Sequence, residues 1–119
     1  MAGLQTYSYP GIGEWAKETM SYSQAIRVEN RIVCEPTPCG RPRLEQVYRV
    51  TTYSTDLKAT HDHVVRNYRR WMPGHQPTWT EVGVKELGLD TMHFEIEVEA
   101  LDPEGAAVAA AAAKVEGKA

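Results

Sequence analysis

The stretch MHFEIEVEALD, residues 92–102, alternates strictly. Phe94, Ile96, Val98 and Ala100 fall on one side, and His93, Glu95, Glu97 and Glu99 fall on the other. A period of two belongs to extended chain, whose successive side chains point to opposite faces of a sheet. An apolar row opposed to an acidic row predicts a strand with one buried and one wet face. Such a strand needs partners beside it and a layer over its apolar side.

The residues upstream supply both. PTWTEVGVKEL (77–87) reads as a strand softened by Gly83, and GLD then turns the chain. Before it, TDLKATHDHVVRNYRRWM (55–72) changes period. Val64, Tyr68 and Trp71 share one helical face with Val65 beside them, while Arg66, Asn67, Arg69 and Arg70 fall elsewhere. That pattern predicts an amphipathic helix over roughly 58 to 71, stopped by Pro73 and Gly74. EQVYRVTTYS (45–54) is rich in Val, Tyr and Thr, as strands are. YSQAIRV (22–28) and RIVCE (31–35) flank the polar pair EN (29–30) and read as a hairpin. The predicted order is β-β-link-β-α-β-β. A strand, helix and strand in succession predict a crossover helix over a mixed sheet, in the α+β class.

The flanks carry weaker signals. Residues 1–20 contain Pro10, Gly11 and Gly13 without a clear period and are expected to form an irregular arm. Residues 21–104 make the single domain. Residues 105–119 are Ala-rich, and a short helix with no patterned apolar face is marginal alone, so a frayed helical or disordered tail is expected.

Composition narrows the function. The chain has 119 residues, enough for one modest core. A net charge of -3 gives no global attraction to phosphate backbones, so nucleic acid is an unlikely partner without a local basic patch. No apolar run approaches the roughly 20 residues of a membrane span. The N-terminus lacks a basic start followed by an apolar stretch, so no signal peptide is expected. The default location is cytoplasmic, with the mitochondrion as the alternative.

Few side chains suggest chemistry by spacing. Cys34-x4-Cys39 and His61-x-His63 match no standard zinc pattern, and histidines two apart on a helix do not share a face. No metal is therefore expected, and the histidines read as solvent-exposed. A Cys34–Cys39 disulfide fits the spacing but not a reducing compartment. Arg66, Arg69 and Arg70 read as the wet face of a surface helix, or as an anion or RNA site. The row Glu95, Glu97 and Glu99 is a solvated strand side, or a general base if that face lines a cleft. Tyr22 reads as a half-buried sheet tyrosine, or as a ligand-stacking residue.

YSQAIRVENRI (22–32), QVYRVTTYSTDL (46–57), VVRNYRRWMPGHQPTWTEVGVKELG (64–88) and HFEIEVEALDP (93–103) together resemble the YjgF/RidA family of reactive-intermediate deaminase-like proteins, also called endoribonuclease L-PSP-like. NYRRWMPGHQPTWTEVGV is similar to fungal members in particular. The resemblance implies a chorismate-mutase-like α+β fold, a homotrimer, and small-metabolite clefts between subunits. It also implies an enamine and imine hydrolase that uses neither metal nor organic cofactor and yields 2-keto acids and ammonia. Some members are described as ribonucleases.

The family's functional positions carry over singly. Its opening tyrosine matches Tyr22, and the glutamate that positions the attacking water matches Glu95. The arginine that grips the substrate carboxylate falls, anchored on Pro77, at Trp79, and a frequent cysteine falls at Glu81. Indole offers one neutral donor where a guanidinium binds a carboxylate bidentately, and Glu81 repels a carboxylate. Arg27, Arg31 and Lys85 are candidates for a replacement cation. A second departure is VCEPTPCGRPR (33–43), which stands where members carry a loop and their first helix. Its three prolines cannot form that helix. The resemblance thus predicts an oligomeric binding protein with an inter-subunit cleft lined by Tyr22, Trp79 and Glu81, and weak or no imino-acid deaminase activity. Its alternatives are a 2-iminobutanoate/2-iminopropanoate-type deaminase using Glu95, or an endoribonuclease.

Overall fold

A computed structural model of the protein describes residues 4–8, 10–34 and 44–116. The described elements run β1 (Leu4–Tyr7), α1 (Ile12–Met20), β2 (Ala25–Val28), β3 (Arg31–Cys34), β4 (Val47–Ser54), α2 (Leu57–Trp71), β5 (Thr78–Gly83), β6 (Phe94–Leu101) and α3 (Pro103–Val115). A single 3-10 turn, Leu44–Gln46, leads into β4. The six strands form one sheet in the order β1-β2-β3-β6-β4-β5. Every neighbouring pair is antiparallel except β4–β5. Parallel neighbours cannot be joined by a tight turn, and α2 is the crossover between them.

The α+β class, the hairpin, the crossover and the β6 alternation are as the sequence predicts. The segment that joins β3 to β4, including Cys39 and its prolines, lies outside the described residues. No described helix is long and apolar enough to cross a membrane.

Register fixes which side chains share a face. Val50 pairs with Trp79 and Thr52 with Glu81 across β4–β5, while Val50 pairs with Val98 and Thr52 with Ile96 across β4–β6. These residues, with Ser54, Gly83 and Phe94, face α2. Val47, Val50 and Ala100 are buried there, with Tyr68, Trp79, Ile96 and Val98 packed against them. A second cluster of Ala25, Ile32 and Cys34 continues the same face, with Tyr7 against it. The opposite face carries Arg49, Thr51, Tyr53, Glu95, Glu97 and Glu99. The thinnest dimension of the chain is 21 Å, a sheet plus one helical layer.

The first turn of α2 follows from local chemistry. Asp56 caps it by accepting from the Ala59 amide at 3.2 Å. Ser54 Oγ accepts from the Asp56 amide at 3.0 Å and from Thr60 Oγ1 at 2.9 Å. Leu57 lies so close to Gly83 that a Cβ there would meet its Cδ1 at 2.9 Å.

Three readings of the chain need correction. Residues 1–20, expected to be irregular, contain β1 and α1. β1 gains its order from pairing with β2, a contact with no periodic signature in LQTY. α1 is a nine-residue helix anchored by Ala16, which is 2% exposed. Trp71, placed by periodicity on the buried face of α2, is 58% exposed, with the Arg70 guanidinium 5.0 Å from its ring. The sheet side of α2 carries Leu57, His61, Val64 and Tyr68 instead, which continues the same stripe one turn toward the N-terminus. Tyr22 precedes β2 rather than lying in it and is 40% exposed.

One polar contact holds the far end of the sheet. Arg27 Nη2 lies 2.8 Å from Asp102 Oδ2, and both side chains are buried. Asp102 also caps α3 by accepting from the Gly105 amide at 3.2 Å, and its own amide donates to the Asn30 carbonyl at 2.7 Å. Burial lowers the affinity of Arg27 for its proton, but hydrogen bonds to Asp102 and Tyr7 more than offset this and hold its pKa above the ordinary value. Removing one partner leaves an uncompensated buried charge. Asp102→Ala is expected to lower the stability by about 3–5 kcal/mol, read from the urea unfolding midpoint. A loss below 1 kcal/mol would show that the pair is dispensable.

Candidate functional site

The sequence-derived site residues occupy three places. Trp79 and Glu81 lie on the face of β5 covered by α2. Glu95 lies on the opposite face of the sheet, since it pairs with Tyr53 rather than with a residue of the Thr52 row. Tyr22 stands in the connector before β2. Within one chain, therefore, Glu95 does not line the same space as Trp79 and Glu81.

Trp79 is a packing residue in this chain. Its Nε1 donates to Thr52 Oγ1 at 2.9 Å, and Thr52 is 1% exposed. The His61 ring stacks on it at 5.5 Å between centroids and 20° between planes. Tyr68 meets it edge-on at 5.2 Å and 81°. The one polar hydrogen of the indole is thus spent inside the protein. Glu81 is engaged as well, because His61 Nδ1 lies 3.0 Å from its Oε1 and 3.1 Å from its Oε2.

The replacement cations are placed elsewhere. Arg27 is committed to Asp102. Arg31 is engaged with Tyr48, whose phenol is pushed up by burial and by its hydrogen bond to Glu99, 2.7 Å away. Lys85 borders a depression of about 200 Å³ with Thr55, Asp90 and His93. Of the acidic row, Glu99 meets Tyr48 and the Arg49 guanidinium, the latter at 3.6 Å. Arg66, Arg69 and Arg70 are exposed. Among the described residues no three His, Cys, Asp or Glu side chains gather as a metal site would require.

Sequence reasoning placed Tyr68 on the buried helical face but did not join it, His61 and Thr52 to Trp79. The available signal was that His61 stands three residues before Val64 and seven before Tyr68, on their stripe. Beside the cluster, Tyr68, Arg69, Met72, His75, Pro77 and Trp79 border a cavity of about 250 Å³.

These contacts stand on a fold seen before. No protein-family model and no curated protein matches the chain. Solved structures do. Rv2704 of Mycobacterium tuberculosis, described as a member of the highly conserved YjgF/YER057c/UK114 family, is 19% identical, with a TM-score of 0.65 over 82% of this chain and 98% of that one. The protein YJGH is 20% identical, with a TM-score of 0.70 over 87% and 99%. Yeast Mmf1 is 19% identical, with a TM-score of 0.62 over 83% and 98%. The chain therefore has the YjgF-type α+β fold.

The Tyr68 hydroxyl is buried without a hydrogen-bond partner among the described residues. Burial, with the Glu81 charge adding to it, pushes its pKa up to about 12. Because the folded pKa lies above the unfolded value near 10, the contribution of the neutral phenol is complete below pH 10 and is lost as pH rises toward 12. Tyr68→Phe removes an unsatisfied hydroxyl, so the variant is expected to equal or exceed the wild type in stability at pH 7. It is also expected to lose less stability between pH 10 and pH 12. Denaturant melts at both pH values check this, and a variant clearly weaker at pH 7 would contradict it.

Proposed function

We propose that the chain is a YjgF/RidA-type protein that assembles with copies of itself and holds a small organic metabolite in a cleft between subunits. We infer weak or no imino-acid deaminase activity. The observation that carries this reading is the state of Trp79. At the position where the resemblance expects a carboxylate-binding arginine, an indole is packed under α2 with its only donor on Thr52. The adjacent Glu81 brings negative charge to the same place, and a carboxylate substrate meets repulsion there instead of a bidentate partner.

Self-association is supported by surface. The sheet face opposite α2 carries Val33, Tyr53 and Val82 among its charged and threonine residues, all half-buried rather than fully exposed. Covering that face with the same face of other copies brings Glu95 into an interface. No metal or organic cofactor enters the proposal, and the expected compartment is the cytoplasm.

The test generates 2-iminopropanoate or 2-iminobutanoate in situ and follows its decay in competition with semicarbazide. The expected rate is the buffer background. Decay well above background that disappears in Glu95→Ala would overturn the reading in favour of a deaminase. Light scattering is expected to give three chains per particle, and a stable monomer would contradict the inter-subunit cleft.

A further inference from the structure

Between the last turn of α2 and the start of β5 the chain arches around the cavity of about 250 Å³. Pro73 and Pro77 bracket the arch, and their fixed φ angles stiffen it. Three contacts pin it to the rest of the fold. The Met72 amide donates to the Tyr68 carbonyl at 2.9 Å, His75 Nε2 donates to the Val47 carbonyl, and Thr78 Oγ1 donates to the Tyr48 carbonyl at 3.2 Å. A recess held in this way is formed before a ligand arrives, so binding loses little ordering entropy.

The walls of the recess are apolar. Trp79, Tyr68, Met72 and Pro77 supply them, and all four are half-buried. Trp79 is itself immobilised by His61, Tyr68 and Thr52. Tyr68 contributes its ring only, because its hydroxyl is shut away from solvent. Flat, rigid, apolar walls favour an aromatic ring. The volume suits a single one, since an apolar cavity of roughly 150 Å³ accepts benzene.

Charge at the mouth has one sign. Arg69 borders the cavity, and no acidic side chain does so among the described residues. Among those residues no carboxylate meets the Arg69 guanidinium either. Arg70, the next residue, turns to the Trp71 ring instead, and Glu81 turns to His61. A guanidinium without a partner beside an apolar recess selects an oxyanion, which its fork binds through two N–H donors. Arg69 is exposed while the walls are half-buried, so the charge must stand off the ring. The bridging oxygen of an ester provides that offset.

We propose that this cavity binds a single-ring aryl sulfate or phosphate ester, with the ring against Trp79 and Pro77 and the oxyanion on Arg69. The site lies within one chain, so it is separate from the inter-subunit cleft and stands whether or not copies assemble. Ring and charge are both needed. An exposed ion pair alone is worth little, and a ring alone leaves Arg69 without a partner. A small anion with no ring therefore gains almost nothing here.

The test titrates the full chain with phenyl sulfate and phenyl phosphate in a calorimeter, with phenol and inorganic sulfate as the two halves of the ligand. At least one ester is expected to saturate with a Kd of about 1 mM or tighter, and each half to bind about tenfold more weakly or worse. Amide and indole NMR shifts are expected to move at Arg69, Met72, Gln76 and Trp79. Arg69→Gln is expected to lose about tenfold in affinity for the ester and to leave phenol binding unchanged. Arg70→Gln, whose guanidinium faces Trp71, is expected to bind as the wild type does. Both substitutions are at exposed positions, so the fold is retained. Saturation by neither ester, shifts confined to other parts of the chain, phenol binding as tightly as the esters, or equal losses in the two arginine variants would each overturn the proposal.

Discussion

The indole of Trp79 is the wedge on which the α2 side of the sheet depends. A parallel β4–β5 pair forms only if the chain between them crosses over the sheet, and the crossing helix must then bury one face against it. α2 has few large apolar residues for that task, and Val64 is the only one of them fully buried. Trp79 makes up the deficit from the sheet side by filling the space beneath His61 and Tyr68 and bonding to Thr52. The indole, both stacked and hydrogen-bonded, is thereby committed to holding the fold.

The same economy governs the charges. Arg27, which points to the α2 side of β2, is closed off by Asp102 and Tyr7, and this joins the β2–β3 hairpin to the start of α3. A Cβ on Gly105 would fall 2.0 Å from Asp102 Oδ2 and 2.5 Å from Arg27 Nη2, so this corner has no slack. Arg31 and Arg49 meet Tyr48 and Glu99 on the other side.

Much of the fold was legible because its signals are local. The alternation of residues 92–102, the hairpin about Glu29-Asn30, and the stop at Pro73-Gly74 each lie within one element. β1 was not legible because its order comes from β2, about 20 residues away. Trp71 was misplaced because periodicity alone does not say which end of an apolar stripe meets the sheet. The site was less legible than the fold. His61 looks wet by residue type, and its partners Trp79 and Glu81 are separated from it by a whole helix and turn. Register, which places Glu95 opposite Trp79, arises only from strand pairing and has no local signature.

The central claim is that Trp79 and Glu81, both committed to internal contacts, offer no grip to a carboxylate. Calorimetric titration of the full chain with 2-oxobutanoate, the stable keto-acid product of the family's reaction, tests it most directly. The account predicts no saturable heat at millimolar ligand. Saturable binding tighter than about 1 mM, or about 4 kcal/mol, would show that a carboxylate site persists and would contradict it.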